Sequence, residues 1–335
     1  MKQILIAVAV LSALGFVHTQ AFAGSSDKGQ EALFPKQVLH GAVSSLSLST
    51  SSFDTLIVGG EKVDDFSDTV SKHTVRLLIR NRIAAAEDNP QDMHGRPIDA
   101  RCSGVVVAVD QIVTAAHCFP KKYRGLYREK PFVYTMDLEN VEVRVYSHYT
   151  NGPGTEDPSG ILARKVVRHP EFDDLWQDGV EDSWSVDTPV HDIAVVSLEY
   201  GLPGYKSPVS LDSHDDVIEA ASLTLAGYGQ SHTGSRLQRP HLRKVDTPFR
   251  EMLPNGTDFV AGAGDLDSPE ENPDAKGACF GDSGGPAYFQ DDDGQFVLGG
   301  IIARGPVTAE GKCLMGLTVM THVASYLNFL WDHLD

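Results

Sequence analysis

A serine flanked by glycines carries the clearest chemical signal in the sequence. Ser283 lies within the segment ACFGDSGGP, which runs from residue 278 to residue 286. A serine hydroxyl attacks a carbonyl only when a base takes its proton and hydrogen-bond donors stabilise the oxyanion. Because glycines allow a sharp turn, we predict that the amide groups of Gly281 and Ser283 point to one position. On its own, the segment could equally be a glycine-rich turn between strands.

A histidine and an aspartate elsewhere in the chain could supply the base and its partner. His117 follows the small residues TAA and precedes Cys118, whereas Asp192 stands before the apolar run IAVV. An aspartate buried beside an imidazole N–H would fix the tautomer of the ring and stabilise the imidazolium. Taken singly, His117 is one of 13 histidines, and Asp192 could be an ordinary residue at the edge of a strand.

Considered together, these segments resemble motifs of the trypsin/chymotrypsin-like serine protease family. The family motif TAAHC matches Thr114 to Cys118, its DIAL strand matches Asp192 to Val195, and its GDSGGP motif matches Gly281 to Pro286. The similarity covers nearly the whole chain from the sequence IVGG at Ile57 to the C-terminal segment.

The resemblance implies a catalytic triad. His117 would be the general base, Asp192 would orient it, and Ser283 would be the nucleophile. The amides of Gly281 and Ser283 would form the oxyanion hole. The order of the three residues along the chain agrees with the family, and the implied hydrolysis of peptide bonds requires no metal and no organic cofactor.

An α/β-hydrolase is the competing enzyme class, because Gly281 to Gly285 also fits the G-x-S-x-G pattern of a nucleophile elbow. That fold places a helix after the serine. Here the sequence GGP would disrupt such a helix, and Ala287 to Phe289 are typical of a strand. Asp291 to Asp293 and His322 could still supply the later members of such a triad, so this alternative stays open.

The resemblance also locates the pocket for the substrate side chain that precedes the scissile bond. Gly277, six residues before Ser283, would form its base and offers no carboxylate for arginine or lysine. We therefore expect a preference for small or apolar side chains. Ala303, Arg304 and Gly305 would form the wall that pairs with the substrate backbone.

Two of these wall residues depart from the family pattern. Ala303 replaces a serine that usually supports the catalytic aspartate, so Asp192 would lose one hydrogen bond. Arg304 replaces a tryptophan that lines the cleft. It could select acidic or extended polar substrates, or it could simply be a solvated arginine.

The resemblance further implies synthesis as an inactive precursor. After cleavage, Ile57 would be the new N-terminus, and its ammonium group would pair with Asp282. Because Thr55 and Leu56 precede the cut, an activating protease with trypsin-like specificity is not expected. Self-cleavage and cleavage by another protease both stay open.

The 4 cysteines allow three connectivities, and their spacing does not choose among them. The resemblance implies a disulfide between Cys102 and Cys118, beside the histidine, and another between Cys279 and Cys313, beside the nucleophile.

Short strands must position these residues. Apolar or alternating runs rich in β-branched side chains, separated by turn residues, occur at 75–79, 104–109, 141–145, 193–198, 223–226 and 297–302. Many strands without intervening helices favour an all-β fold. A helical period occurs at the C-terminal end, where one face would carry Val323, Leu327, Leu330, Trp331 and Leu334. With the resemblance, the pattern predicts two six-stranded antiparallel β-barrels with a C-terminal helix, and a site between the barrels.

The start of the chain has the pattern of an exported protein. Residues 1–23 combine Lys2, an apolar run from Ile4 to Val17 and the sequence AFA, which predicts a signal peptide. Residues 24–56 end in a serine-rich stretch and are expected to form a propeptide, or else a linker. Residues 57–335 would be the protease domain. We expect the mature protein to be secreted, extracellular or periplasmic, with no membrane association once the signal is removed.

Composition and charge exclude several other classes of protein. With 41% hydrophobic and 22% charged residues, the chain is neither collagen-like, coiled-coil nor wholly disordered. A net charge of −18 argues against nucleic acid as a partner. The expected partners are a protein or peptide substrate and an activating protease. The alternative from another class is an inactive protease homologue that acts as a binding module.

Overall fold

The computed structural model describes residues 57, 60–65, 67–84, 95, 97–127, 130–139, 141–146, 160–174, 190–229, 241–264, 276–305, 313 and 316–334. The expected signal peptide and propeptide, residues 1–23 and 24–56, lie outside these residues.

Strands account for most of the regular structure in this part of the chain. They are β1 (Glu61–Lys62), β2 (Thr74–Arg82), β3 (Pro97–Ala108), β4 (Gln111–Thr114), β5 (Lys122–Tyr127), β6 (Lys130–Thr135), β7 (Glu142–Tyr146), β8 (Ile161–Arg168), β9 (Ala194–Leu198), β10 (Ser210–Leu211), β11 (Leu223–Gly227), β12 (Arg243–Thr247), β13 (Phe249–Met252), β14 (Asp258–Ala261), β15 (Pro286–Gln290), β16 (Phe296–Arg304) and β17 (Thr318–His322). The described α-helices are α1 (Thr69–His73) and α2 (Leu327–Trp331), and 3-10 turns occur at Ala116–Cys118, Asp216–Glu219 and Val323–Tyr326. Each predicted run coincides largely with one strand, which confirms the all-β prediction.

Six strands of the first half close into a barrel in the order β2-β3-β4-β9-β8-β7. All residues of β4 and β9 are buried, and Thr114 at the end of β4 pairs with Ala194 at the start of β9. His117 comes three residues after Thr114, and Asp192 comes two residues before Ala194. The pairing of β4 with β9 therefore brings the segments of these two residues side by side.

The strands of the second half, together with β1 from the start of the described chain, form a nine-stranded sheet in the order β1-β12-β11-β15-β16-β17-β14-β13, with β10 added in parallel to β16. Among the described residues this order does not close on itself, so the predicted second six-stranded barrel is not confirmed. The extra strands include β1 and β10. Each has two residues, which is too short to show a strand period in the sequence.

A strand also follows the Ser283 segment. Three residues after Ser283, Pro286 begins β15, which returns through a tight turn into β16. In that turn the carboxylate of Asp291 accepts hydrogen bonds from the N–H groups of Asp293 and Gln295 at 3.0 and 2.8 Å. Because a nucleophile elbow needs a helix at this point, the α/β-hydrolase alternative is wrong.

A short helix at the C-terminal end confirms the predicted α2. It packs on the first barrel, and the side chain of Gln111 in β4 donates to the C=O of His333 at 2.9 Å. Val323 and Leu330 are buried as expected, but Trp331 is 60% exposed. The 3-10 turn before α2 winds more tightly than an α-helix, so the predicted common face is not maintained. No helix in the described part of the chain has both the length and the hydrophobicity needed to cross a bilayer.

Candidate active site

His117 and Asp192 make two hydrogen bonds at the end of the barrel. Nδ1 of His117 lies 2.6 Å from Oδ2 of Asp192, and the backbone N–H of His117 donates to Oδ1 at 2.8 Å. The carboxylate is buried. Because both of its oxygens contact one residue, the carboxylate fixes the orientation of the imidazole ring.

Covalent and polar links hold the histidine segment on the barrel. A disulfide joins Cys118 to Cys102 in β3, the pair that the resemblance implied. Arg168 at the end of β8 donates to the C=O of Phe119 at 3.0 Å and also pairs with Asp174. The 3-10 turn that carries the histidine is therefore tied to two strands of the barrel, β3 and β8.

The environment of His117 favours its protonated form. Burial lowers the pKa of His117, but the charge of Asp192 and its hydrogen bond outweigh burial, so the pKa lies above its usual value. The positive charge of Arg304 acts in the opposite direction. The net effect stabilises the imidazolium, which is the state that a general base reaches after it has taken a proton.

Ser283 lies in a turn that is bound to the first barrel. Ser103 in β3 donates its backbone N–H to the C=O of Ser283 at 2.8 Å and its hydroxyl to the C=O of Gly281 at 3.0 Å. Ser103 is next to Cys102, whose disulfide holds the histidine segment. One strand of the barrel thus anchors both segments.

Gly284 places the serine turn against the segment that leads to His117. Its φ is +78°, and an added Cβ would overlap Oγ1 of Thr114 and lie 2.9 Å from the backbone N of Ala115. That threonine hydroxyl donates to the C=O of Ser103 at 2.8 Å. The two segments pack without room for a side chain, so all three predicted segments meet in one region.

The serine turn leaves two backbone donors available. Gly281 has a φ of +94°, and the N–H of Asp282 is used within the turn, where it donates to the C=O of Cys279 at 3.1 Å. The N–H groups of Gly281 and Ser283 have no acceptor among the described residues. These are the two donors that the sequence predicts for an oxyanion.

Asp282 is buried behind the turn. Its carboxylate accepts hydrogen bonds from the N–H groups of Gly229 and Cys279 at 2.8 and 3.0 Å. Burial raises the pKa of Asp282 to about 7, because the two hydrogen bonds offset only part of the cost of burying a charge. Ile57, its expected partner after processing, is buried in an apolar cluster that includes Leu225 of β11.

Gly277 lies against Thr318 of β17. A Cβ added to Gly277 would lie 3.4 Å from Oγ1 of Thr318, and this hydroxyl accepts a hydrogen bond from the N–H of Ala278 at 3.3 Å. The disulfide that the resemblance implied joins Cys279 to Cys313 in the same region. Nothing in the sequence pattern marks Thr318, because a single threonine in a strand is common.

The methyl side chain of Ala303 cannot donate a hydrogen bond to the Asp192 carboxylate. A different hydroxyl, that of Thr321 in β17, donates at 3.1 Å to the backbone C=O of Asp192. Thr321 therefore supports the backbone of Asp192, while the carboxylate keeps its two hydrogen bonds from His117.

Arg304 is buried next to Ala303, and Gly305 follows at the end of β16. Nη2 of Arg304 donates to Oδ2 of Asp258 at 2.8 Å, with 4% of the arginine side chain and 0% of the aspartate side chain exposed. The alternative of a solvated arginine is wrong. The guanidinium also offers little surface to an acidic substrate, because Asp258 already neutralises it.

Comparison with known proteins agrees with this geometry. The family model described as Trypsin matches residues 90–330, a range that contains His117, Asp192 and Ser283. The chain belongs to the trypsin family. It is 26% identical over 250 residues to the serine proteinase stubble of Drosophila melanogaster and 28% identical over 249 residues to human tissue-type plasminogen activator. It is also 25% identical over 254 residues to the serine protease grass of Drosophila melanogaster.

These alignments cover 70%, 70% and 69% of the chain, in the same order. They cover 27%, 39% and 59% of the three relatives. The chain therefore spans less than two thirds of the length of each.

Proposed function

We propose that the chain is a serine endopeptidase in which Ser283, His117 and Asp192 form the catalytic triad. The observation that carries this proposal is the pair of hydrogen bonds between His117 and Asp192, at 2.6 and 2.8 Å, beside the turn of Ser283. Membership of the trypsin family supports it, since all three residues fall within the matched range.

In the proposed reaction, Oγ of Ser283 attacks the carbonyl carbon of the scissile peptide while Nε2 of His117 takes the hydroxyl proton. Asp192 stabilises the imidazolium, and the amides of Gly281 and Ser283 stabilise the oxyanion. The imidazolium then protonates the leaving amine as the C–N bond breaks. Water, deprotonated by the same imidazole, attacks the acyl-enzyme and releases the carboxylic product, which restores the serine hydroxyl.

Cleavage between Leu56 and Ile57 would activate the precursor. The new ammonium group of Ile57 would pair with Asp282, whose carboxyl is otherwise held by the N–H groups of Gly229 and Cys279. The pKa of Asp282, raised by burial to about 7, supports this role, because a buried carboxyl with a raised pKa gains most from a neighbouring cation.

The specificity pocket would favour small or apolar side chains. Gly277 provides no carboxylate for a basic side chain, and the buried side chain of Thr318 lies directly against it. A threonine at this position fills space that a large aromatic or basic side chain would need. Leu56, which precedes the activation site, is compatible with an uncharged preference.

We further propose a secreted protein with a signal peptide at residues 1–23, a propeptide at 24–56 and a protease domain at 57–335. Two disulfides support export, because they persist in oxidising compartments. Family membership supports a second barrel built on the nine-stranded sheet. The partners would be a protein or peptide substrate and an activating protease.

Labelling with a fluorophosphonate probe tests the proposal. The chain is prepared with a specific cleavage sequence before Ile57 and is labelled before and after cleavage. We expect labelling of the cleaved chain, its loss in Ser283→Ala, and unchanged labelling in Ser213→Ala, which removes an exposed hydroxyl outside the site. A folded, cleaved chain that takes no label and hydrolyses no peptide would instead indicate the binding module.

A further inference from the structure

A cluster of two histidines and a glutamate lies beside the catalytic carboxylate and has no part in the proposed reaction. His169 follows β8, Glu171 comes two residues later, and His191 immediately precedes Asp192. One ligand atom from each of these three side chains lies within 4.8 Å of the other two. We propose that this cluster, the His–Glu–His site, binds a divalent cation of the zinc class.

The donor set fits such a cation. Imidazole nitrogen and carboxylate oxygen are ligands of Zn²⁺ and of Co²⁺ and Ni²⁺ in proteins. Three protein ligands leave a fourth position for water. A second group of potential ligands, Cys102, His117 and Cys118, is different, because both of its cysteines are bonded in a disulfide.

The barrel holds both histidines in place through their backbones. The N–H of His169 donates to the C=O of Ile193 at 2.9 Å, and the N–H of Ile193 donates to the C=O of His191 at 2.9 Å. His169 directly follows β8 and His191 lies three residues before β9, so the pairing of these strands keeps the two residues close together. Ligands on such fixed backbone positions lose little entropy when they bind a metal.

Two other rings pack on the imidazole of His169. The rings of His169 and His191 are stacked with centroids 4.7 Å apart, and the ring of Phe329 packs on His169 at 5.0 Å.

The hydroxyl of Tyr326 is the hydrogen-bond partner of the second histidine. This hydroxyl lies 3.2 Å from Nδ1 of His191, while Nε2 of His191 lies 3.5 Å from Oε2 of Glu171. In the tautomer that carries the proton on Nδ1, His191 donates it to the tyrosine hydroxyl and the lone pair of Nε2 faces the glutamate. A partner on the non-coordinating nitrogen is a general feature of histidine ligands.

The site is open to solvent, and its ligand atoms must move closer together to bind a cation. The side chain of Glu171 is 71% exposed, so a cation can enter from that side. Bonds of about 2.0–2.2 Å place the ligand atoms of a tetrahedral site about 3.3 Å apart. The stacked rings must therefore turn, and the side chain of His191 must move toward the cation. The overall charge of −18 favours the approach of a cation.

Metal titration of the full chain tests the site. Ser283→Ala protein is titrated calorimetrically with ZnCl₂, and binding of Co²⁺ is followed by its visible absorption. We expect one cation per chain and the strong absorption of a four-coordinate Co²⁺ site. Because this protein lacks the proposed nucleophile, the result does not depend on the proposed function.

Substitutions assign the ligands. His191→Asn suits the positive φ of 56° at this residue, and Glu171→Gln removes only the charge. We expect each to weaken Zn²⁺ binding by at least about tenfold, whereas His214→Asn, at an exposed histidine outside the cluster, leaves it unchanged. Folded His191→Asn and Glu171→Gln proteins that bind Zn²⁺ as tightly as the parent would overturn the proposal.

Binding should also affect activity, because His191 adjoins Asp192. This consequence rests on the proposed function. In the processed enzyme we expect Zn²⁺ to inhibit peptide hydrolysis with a midpoint equal to the dissociation constant from the titration, and His191→Asn to remove the inhibition. Equal inhibition of His191→Asn would place the inhibitory metal elsewhere, for example on His117, and would refute the coupling.

Discussion

The guanidinium of Arg304 and the carboxylate of Asp258 form a buried ion pair beside the proposed triad, with Nη2 and Oδ2 2.8 Å apart. Each charge is costly in the interior without the other. The charge of Arg304 also affects the pKa of the proposed base, His117. Besides burial and the charge of Asp192, the positive charge of Arg304 acts on the pKa of His117 and lowers it.

Removing one member of this pair should destabilise the protein more than removing both. Arg304→Met leaves a buried carboxyl without this cation, and Asp258→Asn leaves the guanidinium without this carboxylate. We expect each single substitution to lower the free energy of unfolding by about 3–5 kcal/mol, and the double substitution to lower it by less than either. Urea unfolding of the full chain measures this. A double substitution that lowers the free energy of unfolding by the sum of the two single losses would contradict this prediction.

Arg304→Met should also move the acid limb of activity to higher pH. The base must be neutral to take a proton, so the rate falls as the pH falls through the pKa of His117. The charge of Arg304 lowers that pKa, and its removal should raise it. The measurement is kcat/KM against pH for the processed enzyme. Arg304→Lys, which keeps the charge, should retain the parent profile, and an unshifted profile in Arg304→Met would exclude this electrostatic role.

Asp282 should make the unprocessed chain less stable as the pH rises. Its pKa in the folded chain is about 7, against an ordinary value of 3.8. The folded chain holds the Asp282 proton more tightly than the unfolded chain does. The stabilisation of the folded chain that results is complete below pH about 4 and is lost as the pH rises toward 7, at about 1.4 kcal/mol per pH unit. Asp282→Asn should flatten this slope in urea unfolding between pH 4 and 8. Asp292→Asn, which replaces an exposed carboxyl, should keep the pH dependence of stability of the parent protein.

The same substitution should abolish activity after cleavage. Without the carboxylate, the ammonium group of Ile57 has no buried counter-charge at Asp282, and the serine turn loses the ion pair that would hold its active conformation. We expect kcat/KM of cleaved Asp282→Asn to fall by at least about a hundredfold, the rate equivalent of about 3 kcal/mol. Near-parent activity would show that activation does not use this pair.

The residues proposed for catalysis could be predicted from the sequence because each lies in a compact motif. His117 and Ser283 are flanked by small residues and glycines, and these segments are informative in combination, through their resemblance to the family motifs. The partner of Arg304 could not be predicted in this way. Asp258 is 46 residues away in the chain, and the two meet only because β14 and β16 both pair with β17.

The same limit applies to the strand arrangement and to the pocket. Long β-branched runs predicted the strands of the first barrel, because burial on a sheet requires that pattern. The two-residue strands β1 and β10 have no such pattern. Thr318 faces Gly277 through the tertiary arrangement of separate segments, which sequence spacing does not reveal.

Replacing Thr318 by glycine should widen the proposed specificity pocket. The hydroxyl of Thr318 is bonded to the N–H of Ala278, and the side chain lies against Gly277. Thr318→Gly should raise kcat/KM for peptides with Phe before the scissile bond by at least about tenfold relative to Ala, because the space of one methylene group in a pocket is worth about 1–3 kcal/mol. Thr318→Ser keeps the hydrogen bond and should change the ratio less. An unchanged Phe-to-Ala ratio in Thr318→Gly would place the pocket elsewhere.

Gly284→Ala should separate the serine turn from the histidine segment. Gly284 has a φ of +78°, and its Cβ would overlap Oγ1 of Thr114, whereas Gly294 has a φ of +73° with nothing within 4 Å of an added Cβ. Alanine at either position costs about 1–2 kcal/mol for the left-handed conformation. Gly294→Ala should show only this cost in urea unfolding and should keep its activity after cleavage. Gly284→Ala should lose more stability and most of its kcat/KM, because the clash displaces Ser283 from His117. Equal effects of the two substitutions would mean that the close packing of Gly284 on Thr114 does not position the nucleophile.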